Sequence, residues 1–385
     1  MTSSSDRRRI LFYVQHLLGI GHQARAAAIA RAMQRRGLDV HYVTGGFAET
    51  SPDLGGAKIV QLPPARAADA RFAALLDETG ALIDAAWEAR RRSALIDAYE
   101  TCRPDALLIE SFPFARRRFR FELLPLLERV RGRAPVAASV RDILVAKDDP
   151  KRTRWIVDTV NAFFDAVIVH GDPRVVTLDE TFPGAPDIAD RLRYSGYVAP
   201  DPPKTSAARE GVAVSAGGGA VGGPLLRAAL AARPLTRRAD TPWRLITGPN
   251  LPESERNALK SAPGVTIDTF VDNFNGFLCS VALSVSQAGY NTVMDLITSR
   301  TKSVLVPFSQ QGETEQAVRA AVLARRGHCH VLPEPDLTAA ALAAAIDRAY
   351  KSPPPDPTDF DLDGAAQTAR IMAALASGSR ISGRL

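Results

Sequence analysis

Gly19, Ile20, Gly21 and His22 stand between an apolar run at 10–18 and an alanine-rich stretch of helical period at 22–37. Three chemistries fit a histidine at such a junction: a phosphate-binding nucleotide loop, a base held at a helix mouth, or a tight strand-to-helix turn. A dinucleotide fingerprint needs a third glycine at position 24, where Ala24 stands. It also needs an acid at a strand end about 20 residues on, and there the chain reads Val43-Thr44-Gly45-Gly46-Phe47. A neutral imidazole can take a proton from a hydroxyl near neutral pH, which makes His22 the candidate base; helix capping is the alternative role. Glu110 with Ser111, and Arg141 with Asp142, close two further apolar runs. Gly21, Glu110 and Arg141 are therefore the candidates for binding an acceptor molecule. A guanidinium at 141 suits a phosphate, and a buried Arg141–Asp142 pair accounts for it equally well.

The second half carries a different set. Residues 215–223 hold five glycines in nine positions between a strand-like and a helix-like run. Glycines let backbone N–H groups approach an anion, and a following helix N-terminus adds favourable partial charge. Gly217, Gly218 and Gly219 are the candidates, although no Lys-Ser/Thr follows as a Walker loop requires. A flexible turn is the simpler reading. Further on, Gln287, Gly289, Asn291 and Thr292 lead from a strand into a helix starting around 291–292. Asp295 then falls in the first helical turn. A carboxylate there can accept the hydroxyls of a ribose or merely favour the helix dipole. Glu315 and Gln316 open the next helix with donors and acceptors suited to sugar hydroxyls, or to capping alone.

Elements must bring these groups together. Apolar runs at 10–18, 40–44, 57–62, 105–111, 135–140 and 165–171 alternate with helix-like stretches at 22–37, 67–100 and 116–131. That alternation predicts an α/β domain with a parallel sheet. The Pro/Ser/Ala-rich segment 195–211 reads as a linker. The pattern then restarts, with strands near 211–215, 243–249, 265–270, 281–289 and 302–308, and helices at 222–233, 337–350 and 364–377. The expectation is two Rossmann-like domains, 1–200 and 201–385, the last helix packing back on the first, with a ligand cleft at the carboxyl ends of the sheets.

Composition narrows the partners. With 385 residues, 46% of them hydrophobic, the chain can bury two cores. No apolar run reaches transmembrane length, and the basic N-terminus followed by an apolar stretch reads as a first strand rather than a signal peptide. Three scattered cysteines suit reduced cytoplasmic thiols, and His328-Cys329-His330 falls short of a zinc site. Aromatics make up only 6% and do not interleave with basic residues, so a nucleic-acid platform is not expected. Residues 115–133 hold seven arginines against two glutamates. They suit an anionic membrane surface or form a solvated amphipathic helix.

The donor-like segment resembles the MurG-like group of GT-B glycosyltransferases (family 28-like), within bacterial glycosyltransferases of unassigned acceptor. The resemblance rests on Ser286-Gln287-Ala288-Gly289 with Thr292, an acid three residues later, Val306-Pro307-Phe308, and the loop ending at Gln316. Gly21-His22 before an alanine-rich helix matches the group's opening loop. The group has Glu where this chain has Asp295, and its acceptor loops differ. No Asp-X-Asp motif stands in a suitable loop, so metal-independent chemistry is expected. The resemblance implies inversion at the anomeric carbon, with His22 serving the acceptor and Val271 holding a uracil through its backbone. It implies a UDP-sugar donor carrying a hexose or N-acetylhexosamine, no cofactor, a hydroxyl or phosphate-linked acceptor that is lipid-linked, and a cytoplasmic enzyme peripheral to the membrane. A UDP-sugar epimerase or hydrolase of the same fold shares the donor half, and a non-enzymatic nucleotide-sugar binder is the third reading.

Overall fold

The computed structural model describes residues 7–17, 21–47, 53–68, 74–145, 149–203, 208–218, 221–260, 262–310 and 313–379. The chain forms two units, Met1–Val198 with Asp361–Leu385, and Ala199–Phe360. The second unit thus ends at Phe360 rather than at 385.

In the first unit the order is β1 (Arg9–Val14), α1 (Gly21–Arg35), β2 (Asp39–Thr44), β3 (Lys58–Gln61), α2 (Ala85–Cys102), β4 (Ala106–Glu110), α3 (Arg120–Val130), β5 (Val136–Arg141), α4 (Pro150–Phe163), β6 (Ala166–His170) and β7 (Leu192–Tyr194). The seven strands make one parallel sheet ordered β3-β2-β1-β4-β5-β6-β7. Successive strand side chains point to opposite faces, and a parallel sheet is covered on both. This explains the unbroken apolar run of β1. Ile10, Phe12 and Val14 join one core with α1, while Leu11 and Tyr13 join another with α2, α3 and α4.

The helix expected over 67–100 begins only at Ala85. Arg66–Ala67 instead pairs antiparallel with Leu75–Leu76. The Asp77 carboxylate then accepts from Thr79 N and Ala81 N, and Gly80 at φ 85° completes a turn that no helix can include. Asp84 caps the helix that follows by accepting from Trp87 N. The basic run 115–133 becomes a short 3-10 turn and α3, with Phe119, Leu123, Leu126, Leu127 and Val130 buried in the unit's own core. Arg129 pairs with Glu100, and Arg131 and Arg117 lie over Phe163 and Trp155. Any membrane contact through this run is left to its arginines.

The second unit runs β8 (Val212–Ser215), α5 (Gly223–Ala232), β9 (Trp243–Ile246), α6 (Glu253–Ala258), β10 (Val265–Asp268), α7 (Phe274–Leu278), β11 (Leu283–Ser286), α8 (Tyr290–Thr298), β12 (Ser303–Leu305), α9 (Glu315–Arg325), β13 (His330–Val331) and α10 (Ala339–Ala349). Its sheet is ordered β10-β9-β8-β11-β12-β13, again parallel. Val212, Val214, Leu245, Leu283, Val285 and Val304 bury against α5 and α10.

The final helix, α11 (Gly364–Ala376), belongs to the first unit, where Ala369, Ile371, Met372 and Leu375 complete the core that α1 shares with β1. Gly364 abuts the chain at 196–197 so closely that a Cβ would sit 2.5 Å from Gly196 O. Tyr197 N donates to Asp361 O, and Asp361 N donates to Asp172 Oδ2 at 2.9 Å. Ser195 and Tyr197 are buried. The linker therefore does not start at 195: residues 195–198 are anchored in the first unit by these bonds.

Candidate functional site

Each unit gathers its polar groups at the carboxyl edge of its own sheet, where parallel strands feed their helices. In the first unit, Glu110 is the last residue of β4 and His22 the second of α1. His22 Nδ1 lies 2.8 Å from Glu110 Oε1, and Arg25, one turn along α1, donates from Nη2 to the same oxygen at 2.5 Å. A carboxylate only accepts, so Nδ1 carries the proton and donates. Arg25 Nη2, 3.3 Å from that nitrogen, is then a neighbour rather than its donor. Nε2 keeps its lone pair, with no hydrogen bond among the described residues. Burial drives the His22 pKa down to about 4, with Glu110 pulling the other way. Despite its burial, Glu110 is held well below the usual carboxylate range by His22, Arg25 and Arg116. At neutral pH the site therefore holds a neutral imidazole oriented by an ionised carboxylate.

A buried frame supports it. Arg91 donates from Nε to Glu122 Oε2 at 2.8 Å, from Nη1 to Gly45 O and Pro63 O, and from Nη2 to the Gln15 side chain. It thereby ties together the chain leaving β1, β2 and β3. Beside Glu110, Ser139 Oγ, His170 and Ser195 Oγ form a buried chain at 2.7 and 2.9 Å, and burial pushes His170 down to about 3. Arg141 ends β5 opposite His170 in register, half-buried, and acts electrostatically on His22. Gly21 opens α1. Arg25, Arg91, Arg116 and His170 were not singled out in the sequence, because helix pattern and strand pattern each explain them without a site.

In the second unit, Gly217 takes φ 60° and Gly218 O accepts from Asn250 N, while Gly219 lies outside the described residues. Helix α8 starts at Tyr290 on an extended Gly289. The start is earlier than expected, so Asp295 falls in the second turn and not the first. That position removes the helix-dipole account of Asp295, since the effect fades beyond the first turn. The carboxyl is half-buried, and burial raises its pKa to about 7, with the Asn275 side chain opposing. Asn275 also donates from Nδ2 to Asp295 O and Thr298 Oγ1, fixing α7 on α8. Val271 is half-buried just beyond β10, Gln287 N donates to Ser215 O, and Asn291 and Thr292 lie half-buried in the first turn of α8.

The start of α9 grips the turn before α8. Gln316 Oε1 accepts from Ala288 N at 3.0 Å and from Phe308 N at 3.1 Å. Arg319 Nη1 donates to Ala288 O, and its Nη2 is 3.0 Å from the buried Glu315 carboxylate. Glu315 and Gln316 thus bond to protein through these atoms, and the Gln316 Nε2 group makes no hydrogen bond among the described residues. His328 pairs with Asp359 and His330 with Ser352. No cluster of three metal-ligating side chains occurs among the described residues, and no helix among them is long and apolar enough to cross a membrane.

The sequence model of the glycosyltransferase family 28 C-terminal domain matches residues 214–360. The second unit carries a glycosyltransferase family 28 C-terminal domain. Two curated relatives bear the name UDP-N-acetylglucosamine--N-acetylmuramyl-(pentapeptide) pyrophosphoryl-undecaprenol N-acetylglucosamine transferase. The protein from Lactiplantibacillus plantarum is 30% identical over 128 residues, 32% of this chain and 35% of its own length. That from Rippkaea orientalis is 30% identical over 137 residues, 36% of each. The match therefore spans about a third of these relatives. Among solved structures, the calicheamicin glycosyltransferase CalG4 aligns with a TM-score of 0.60 at 17% identity, covering 97% of this chain and 95% of that one. MurG of Acinetobacter baumannii aligns at 0.55 and 14%, covering 94% and 95%. The fold is GT-B, two Rossmann-like α/β halves.

One prediction belongs to the family 28 domain. Gln316→Ala leaves the N–H groups of Ala288 and Phe308 without their acceptor, at about 1–3 kcal/mol for each group left unsatisfied. UDP should bind about tenfold or more weakly to the variant in calorimetric titration. Unchanged affinity would show that the grip of α9 on this turn is unimportant.

Proposed function

We propose that the chain is a glycosyltransferase moving a hexose-type sugar, such as an N-acetylhexosamine, from UDP to an acceptor hydroxyl. The observation that carries this reading is the His22–Glu110 pair, an oriented neutral imidazole with a free Nε2, in a protein whose other unit is a family 28 domain. His22 Nε2 takes the proton of the acceptor hydroxyl as its oxygen attacks the anomeric carbon. The bond from that carbon to the diphosphate oxygen breaks on the opposite face, so configuration inverts and UDP leaves. Backbone N–H groups at Gly217 and Gly218 and at the start of α8 receive the charge growing on the diphosphate, a role that needs no metal. Asp295 accepts from the ribose hydroxyls, Val271 meets the base through its backbone, and Gln287, Thr292, Asn291 and the Gln316 amide surround the sugar and phosphates. The pyrophosphoryl-undecaprenol in the names of the relatives supports a lipid-linked acceptor, which on this reading is met at the inner membrane surface. Gly21, Arg141 and the His22–Glu110 pair serve that acceptor.

The test is product analysis with a panel of UDP-sugars, with and without polyprenyl-phosphate and sugar acceptors. Acceptor-dependent release of UDP with a new glycoside is expected. An epimerised or hydrolysed sugar formed at enzymatic rate without acceptor would replace this reading with that of an epimerase or hydrolase.

A further inference from the structure

Arg116 is not used by this chemistry, yet it is the member of its arginine run that turns inward. Arg117 lies over Trp155 and Arg118 is exposed. Arg116 instead takes a left-handed backbone, φ 59° and ψ 23°, that places its half-buried side chain against the end of β1, where Nε donates to Gln15 O at 2.8 Å. Ser111, five residues earlier in the same loop after β4, is left-handed as well, at φ 68°. Two non-glycine residues in that region within one loop is costly, and such conformations concentrate where a side chain must be aimed. Gln15, the anchor of the guanidinium, is itself locked by the buried Arg91.

Arg116 has two further guanidinium groups, Arg141 and Arg25, acting on it. Its guanidinium interacts favourably with Glu110 and unfavourably with Arg141 and Arg25, and burial adds to the cost of its charge. Arg25 already donates to Glu110. The two Nη groups of Arg116 make no hydrogen bond among the described residues. A half-buried guanidinium fixed at Nε, with its forked end unpartnered and like charges beside it, is a site for an anion that accepts two parallel hydrogen bonds.

We propose that Arg116, with Arg141 beside it, binds a phosphoryl group next to His22, so that this edge of the first unit recognises a phosphorylated ligand. The proposal deepens the reading above, on which it depends only for the owner of the phosphoryl group: an acceptor phosphate or the diphosphate of the donor.

Calorimetric titration of the full chain with inorganic phosphate, and separately with UDP, tests it without any turnover. The variants are Arg116→Gln, Arg116→Lys as the charge-retaining form, and Arg118→Gln as the exposed control, each checked for an unchanged melting temperature. Wild type should bind phosphate, and saturating UDP should leave that binding in place if the group belongs to the acceptor and displace it if it belongs to the donor. R116Q should lose about tenfold or more of that affinity, R116K should recover part of it, and R118Q should match wild type. Such a loss with UDP affinity intact assigns the group to the acceptor, whereas a similar loss of UDP affinity assigns it to the donor. If R116Q alters neither titration, or R118Q weakens binding as much as R116Q does, the site does not exist. If phosphate binding behaves as expected but no UDP-sugar is turned over, the transferase reading falls and the anion site stands.

Discussion

His22→Ala is expected to lower kcat about a thousandfold while UDP binding stays at the wild-type value, as read by steady-state turnover and by titration. The reason is the division of labour on the ring. Nδ1 is committed to Glu110 at 2.8 Å, which leaves Nε2 as the basic nitrogen. Its pH dependence follows with a definite sign. The base must be neutral, and burial has moved the pKa of His22 down to about 4. The acid limb of kcat should therefore fall as pH drops through about 4, not through the ordinary histidine range. Glu110→Gln also removes activity, by a different route. It removes the Glu110 charge from beside Arg25, buried at 3% exposure, and breaking a buried pair this way costs about 3–5 kcal/mol. H22A should keep its melting temperature and E110Q should not. A variant H22A that turns over within tenfold of wild type would end the assignment of His22 as base.

Asp295→Asn is expected to separate stability from function. The folded-state pKa of Asp295 is raised to about 7 from 3.8, with burial the main cause. The proton is thus held more tightly in the folded protein. The stability this brings is complete below about pH 4 and is lost as pH rises through 7. At pH 8 the carboxylate sits ionised in a site that disfavours it, at a cost on the order of 2–4 kcal/mol. Asn carries no such cost, so D295N should melt several degrees higher at pH 8, and the difference should vanish near pH 4. The same variant should bind UDP about tenfold or more weakly, because an amide carries no charge to accept ribose hydroxyls. For wild type, UDP affinity should fall as pH drops below 7, where the carboxyl takes up its proton, and D295N should lack that dependence. Equal melting at both pH values would mean that the burial of the carboxyl has no energetic consequence.

The strands and glycine turns were legible in the sequence because their causes are local. Apolar runs bounded by turn residues mark the parallel strands, and β1 and β8 lie where those runs are. The 66–84 segment was not legible as a turn region. Its alanines and leucines carry a helical composition, and only the bonds of Asp77 and the cap of Asp84 show the interruption. At the site, residue types pointed to His22 and Glu110, but not their pairing, which joins positions 88 residues apart. Arg116 was hidden for a related reason. In a run of arginines, only the backbone at φ 59° distinguishes the one that faces inward.

The docking of α11 also bears on how the molecule is made. Met372 and Ile371 fill a core that includes Ile10, Phe12 and Met33, residues synthesised before the whole of the second unit. The second unit is continuous in sequence and can close its own core while synthesis proceeds. The first unit has to wait, with one face of its sheet open, until α11 has followed the second unit out. The half of the protein that begins first is therefore the half that matures last.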